Sequence, residues 1–101
     1  MYTIWKVAEK GLYTPLISQF YGILIYLYKE LNSPHKVPHF HARYGEFEGV
    51  YDFTGNLIIG DLPKKQQKLV EAWCVLHEDE LNAAWTAWND SGEIIKIEGL
   101  R

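Results

Sequence analysis

His39 and His41, two residues apart, are the side chains here best spaced to do chemistry. On a strand, residues at i and i+2 project from one face. Two imidazoles placed this way can converge on one zinc or iron, with a carboxylate as third ligand. Strand pairing supplies the carboxylate. If Gly45-Glu46 is a two-residue turn, Tyr44 faces Phe47, and the register then sets Arg43 opposite Glu48, His41 opposite Val50, Phe40 opposite Tyr51 and His39 opposite Asp52. One face collects Phe40, Ala42, Tyr44, Phe47, Tyr51 and Phe53; the other collects His39, His41, Arg43, Glu48 and Asp52.

That polar face has three readings. The bland one, which the residues favour, is a solvated sheet surface with Arg43–Glu48 and His39–Asp52 pairs, each contributing about 0.2–1 kcal/mol. The second is a divalent transition-metal site of His39, His41 and Asp52. The third is a binding surface on which Arg43 and Glu48 meet a protein, peptide or nucleic acid. A further hairpin at Gly55-Asn56 would bring Asp61 near Val50 on the same face.

The remaining candidates read more simply. Asp61 suits a helix cap better than an acid catalyst. Lys64, Lys65 and Lys68 fit a solvated first helical turn, but they are cations at the positive end of a helix dipole, where a phosphate would relieve the mismatch. His77 falls on the apolar stripe of that helix and is expected to be a buried polar residue. Cys74 has no histidine near it in sequence and reads as a packed thiol. No catalytic set emerges, and no cofactor is expected outside the His-x-His reading.

The elements that must position these residues follow from pattern. Residues 1–17 read as an arm with a short strand, broken by Gly11 and Thr14-Pro15. The apolar run Phe20–Lys29 reads as one strand covered on both faces. Asn32–His35 is a loop. Pro38–Tyr44, Phe47–Phe53 and Leu57–Gly60 form a meander. A helix runs from Pro63 to Asn89 and stops at Ser91-Gly92, and residues 94–97 could add a last strand. Uninterrupted, that helix would span about 40 Å. One straight helix keeps Val70, Trp73, His77, Leu81, Ala84 and Trp88 on a single stripe. A break at His77-Glu78-Asp79-Glu80 is the alternative, with three acids suited to a new helix start. The fold class is therefore α+β: an antiparallel meander of about four strands on one long or kinked C-terminal helix, with an N-terminal arm.

Composition bounds the rest. At 101 residues this is one domain, and its aromatic content of 15% with net charge −3 excludes a disordered chain. The same charge argues against a large nucleic-acid footprint. One cysteine excludes an internal disulfide. With no leader pattern and no membrane-length apolar run, a cytoplasmic protein is expected.

Several segments together resemble a known family. They are Ile17–Gly22, Pro38-His39-Phe40-His41-Ala42 with Tyr44-Gly45, Gly60-Asp61-Leu62-Pro63, and Trp73 through Leu81. In order and spacing they look like the bacterial domain of unknown function numbered 4160. The resemblance covers residues 14–101 and leaves 1–13 outside as the arm. It implies no catalytic residues. It does imply a small regulatory or toxin–antitoxin-type module, paired with a small protein encoded nearby. The apolar run at 20–29 and the aromatic arm exceed what one helix can cover, so a homo-oligomer is also expected.

Overall fold

The computed structural model describes residues 15–27 and 37–101. The arm at 1–13 and the loop at 32–35 lie outside the described residues. The described chain forms five strands and a helix: β1 (Leu16–Phe20), β2 (Ile23–Tyr26), β3 (His39–Tyr44), β4 (Phe47–Asp52), β5 (Leu57–Asp61) and α1 (Lys64–Ser91). The strands pair antiparallel in chain order. This is the meander expected from the sequence, with five strands in place of about four.

The extra strand comes from the run at 20–29, which is not one strand covered on both faces. Tyr21 (φ 49°) and Gly22 (φ 81°) are both left-handed, and the chain reverses there. Positive φ at both central residues is the signature of a type I′ hairpin turn. Ile23, Ile25 and Leu27 are buried, while Leu24 and Tyr26 between them are half-buried, so one face carries the load. The run hid its turn because tyrosine is a poor left-handed residue and reads as strand.

The β3–β4 register is the expected one, from Tyr44 opposite Phe47 to His39 opposite Asp52. The β4–β5 register is not. The pairing shifts between Val50 and Tyr51, so Ile59 lies opposite Val50 and Asp61 lies opposite Glu48. The chain adopts φ +83° at Gly60, where an added Cβ would come 2.3 Å from the Glu48 carbonyl oxygen. Only glycine permits that approach.

The helix begins one residue after Pro63, which is its N-cap. Asp61 is therefore not the cap: it ends β5, and no side chain caps α1. The single straight helix is also overturned. His77 has φ −128° and ψ 24°, and α1 kinks there. His77 Nδ1 bonds to the Glu80 carboxylate three residues on, and Glu78, Asp79 and Glu80 occupy the first turn of the second half. His77 is accordingly half-buried at a helix break rather than buried in the core. The helix ends at Gly92 (φ 76°), whose N–H bonds the Trp88 carbonyl.

Residues 94–97 do not form a strand. They run irregularly along β1, with one backbone bond from Ile97 N–H to the Ile17 carbonyl at 2.7 Å. Gly99 lies so close that a Cβ would sit 2.4 Å from the Gln19 carbonyl oxygen. The core lies between the sheet and α1, where Trp73 packs on Phe20 and meets Phe40 edge-on, with ring centroids 5.3 and 5.7 Å apart.

Two stability outcomes follow. Gly60→Ala, although exposed, lowers unfolding free energy by about 2 kcal/mol or more through a forced left-handed Cβ, measured by urea denaturation. Tyr51 is fully buried, its hydroxyl finds no hydrogen-bond partner, and burial first, then Asp61, Glu71 and Cys74, push its phenol up to about 12. Tyr51→Phe therefore leaves stability unchanged or raises it by about 1 kcal/mol in the same assay.

Candidate binding face

The face of the sheet turned away from Phe40 carries the His-x-His pair, and it is not the solvated surface the sequence favoured. His39 and His41 are only 5% and 8% exposed. Their rings lie 5.8 Å apart, and the His39 ring is 5.4 Å from that of Trp85 on α1. Val37, Val50, Asp52, Ile58 and Ile59 complete a recess of about 480 Å³ around them.

Each imidazole is oriented by an oxygen. His39 Nδ1 donates to the Val37 carbonyl at 2.8 Å, and His41 Nδ1 lies 3.2 Å from Glu48 Oε2. An acceptor at Nδ1 puts the neutral ring's lone pair on Nε2. A metal-binding histidine can use this tautomer, as it can the other. The third member of the expected set does not join them. Asp52 Oδ1 accepts from Thr54 N–H (2.9 Å), Thr54 Oγ1 (2.8 Å) and Asn56 N–H (3.0 Å), and its Oδ2 accepts from Asn56 Nδ2 (3.1 Å). Burial acts to raise its pKa, but these four hydrogen bonds outweigh it and hold the carboxyl below its usual 3.8. Asp52 is the anchor of the β4–β5 turn. Among the described residues no group of three or more His, Cys, Asp and Glu is arranged to hold a metal.

The expected cross-strand ion pairs are rearranged as well. Glu48 reaches diagonally to His41, and Arg43 Nε turns back to the Gly45 carbonyl at 3.5 Å. Tyr26, beside them on β2, has its phenol pKa raised by burial, with Arg43 opposing and Glu48 adding to the shift. Lys64, Lys65 and Lys68 are exposed on the first turns of α1, and Asp61 is exposed at the end of β5. Neither group faces the histidine recess. Cys74 is buried, and burial first, then Asp52, Glu78 and Glu71, push its thiol up to about 12, so it is a packed and unreactive group.

The residues that sequence reasoning missed are apolar. Ile58 and Ile59 are 47% and 66% exposed, Val37 is exposed beside them, and all three line the recess. The signal was present as the β-branched run Leu57-Ile58-Ile59, but strand propensity does not say whether a strand is interior or at an edge.

A five-stranded antiparallel meander backed by one kinked helix, with a partly apolar recess on its open face, defines a small α+β domain. The chain belongs to the family described as Domain of unknown function (DUF4160), which matches residues 22–86. Neither the curated proteins nor the solved structures contain a match. Among the described residues no helix is long and apolar enough to cross a membrane.

Asp52→Ala is expected to cost about 1–3 kcal/mol at pH 7, measured by denaturant unfolding. Because the folded pKa is depressed, this stabilisation is fully present above the unfolded value and is lost as pH falls through the folded one. The gap between wild type and variant therefore narrows below about pH 4; a constant gap down to pH 2 would mean that the carboxylate's charge contributes nothing.

Proposed function

We propose that this protein is a non-enzymatic binding module of regulatory or toxin–antitoxin type, which takes up an extended segment of a partner protein at the β5 edge. One observation carries this reading. All five residues of β5 are exposed, it pairs with β4 on one side, and no described segment pairs with its other side. A bare edge presents unpaired backbone N–H and C=O groups, the template for strand addition. At the opposite edge the C-terminal tail runs along β1.

Side chains favour the same place. Ile58, Ile59 and Val37 give an incoming strand apolar contacts, and alternate residues of that strand can reach the recess beside His39 and His41. Exposed Asp61 and half-buried Glu48, opposite one another near the end of β5, favour a partner with a basic residue there. The metal-dependent enzyme reading has less support, because the Asp52 carboxylate is committed to its turn.

A second reading is self-pairing through this edge. An antiparallel pairing of two copies centred on Ile59 would set Asp61 opposite Leu57, so no like charges meet. The same variants test both readings. Ile58→Lys and Ile59→Lys alter exposed positions and should change stability by about 0.5 kcal/mol or less. Co-expressed with the small partner that the family resemblance implies is encoded nearby, wild type is expected to co-purify, and each variant to bind about tenfold more weakly or not at all. Light scattering after size exclusion reports self-pairing as a dimer that the variants lose. A partner that binds wild type and both variants equally, with wild type monomeric, overturns docking at β5.

A further inference from the structure

A second recess, of about 450 Å³, opens at the other end of the molecule, where the Tyr21-Gly22 turn, Tyr44 of β3, the start of α1 and the tail meet. We propose that it binds the phosphate of a small molecule carrying a planar ring, the chemical class of a mononucleotide.

The argument begins with the helix. The first intrahelical bond of α1 runs from Gln67 N–H to the Pro63 carbonyl at 2.9 Å, so the amides of Lys64, Lys65 and Gln66 precede the ladder. No side chain caps them, and the first turn holds no acid. Such a terminus attracts anions through its N–H groups and its dipole.

The independent observation is Gln66. It is only 9% exposed, it lines the recess, and among the described residues its side-chain amide has no hydrogen-bond partner. The rest of that side chain is packed away, so its amide is held at the recess, where a phosphate oxygen would accept from it. Lys65 and Arg101 line the same space and supply two positive charges; Arg101 is paired with Glu98, for which a phosphate would compete.

The rest of the lining suggests what the phosphate is attached to. Tyr21 is an exposed aromatic at one wall and Tyr44 a half-buried one at another, with Leu69 and Leu100 between the polar groups. Aromatic faces with aliphatic side chains suit a flat ring. A longer nucleic-acid strand fits less well, because it requires a track of cations, and the chain's net charge is −3.

The test is amide chemical-shift titration of the full chain with sodium phosphate, AMP and a short single-stranded oligonucleotide, each matched in ionic strength with sodium chloride. The expected result is saturable movement of the Lys65 and Gln66 amides with phosphate, and tighter binding of AMP. The discriminating variant is Lys65→Glu. A carboxylate there suits the helix dipole, so the variant should melt at no lower temperature than wild type. Its affinity for AMP should nevertheless fall about tenfold or more, as expected on losing a charge-assisted contact. A purely structural role for Lys65 would not separate those two readouts. The proposal is overturned if phosphate and AMP move the amides no more than chloride does. It is also overturned if AMP binds no tighter than phosphate, if only the oligonucleotide binds, or if Lys65→Glu binds AMP as wild type does.

Discussion

Trp73 is the contact through which the parts of this fold are joined. Its ring packs on Phe20 of β1, meets Phe40 of β3 edge-on and lies 5.7 Å from the His77 ring at the kink. Its Nε1–H donates to the Glu98 carbonyl at 2.9 Å, which ties down the C-terminal tail. A tryptophan buried in this way joins a large apolar surface to one directional bond. The indole therefore does two jobs. It clamps the first half of α1 over β1 and β3, and it draws the tail across the β1 edge. The helix and tail are committed to that side, and no described segment pairs with the outer edge of β5.

The parts legible in the sequence were those fixed by local geometry. Gly45-Glu46 set the β3–β4 register, because a two-residue turn leaves little freedom and every pair then follows. Gly92 ended the helix because an αL residue cannot continue it. The illegible parts depended on where one element lies against another. Tyr21-Gly22 was hidden by a tyrosine in a conformation that usually selects asparagine or glycine. The β5 register depended on an irregularity at Val50/Tyr51, which carries Asp61 two positions along β4, from Val50 to Glu48, without changing its face.

The histidines make the same point about the site. Alternation put His39 and His41 on the face away from Phe40, and the register agrees. Alternation says nothing about depth, and both are buried. Nor does it say what Asp52 is bonded to. The carboxylate opposite His39 in the ladder is the one best satisfied by its own turn, since Asp52-Phe53-Thr54-Gly55-Asn56 folds four donors onto it. Surplus apolar surface was expected as well, but at 20–29. Ile23, Ile25 and Leu27 of that run are buried, and the exposed apolar side chains include Ile58 and Ile59 on β5 and Val75 and Leu76 on α1.

The two halves of α1 treat the same electrostatic problem in opposite ways. Past the kink, Glu78, Asp79 and Glu80 fill the first turn and His77 meets Glu80, so the chain itself supplies the negative charge that terminus favours. At Lys64 the chain supplies no acid, no cap and a local excess of positive charge. Helix propensity does not account for the difference, because glutamate and lysine are comparable helix formers. Nor does solubility require it, since acids serve that purpose at least as well. The contrast is consistent with a first terminus completed by an anion from outside the chain. Gln66, mostly packed away at that same terminus, lines the recess where such an anion would sit.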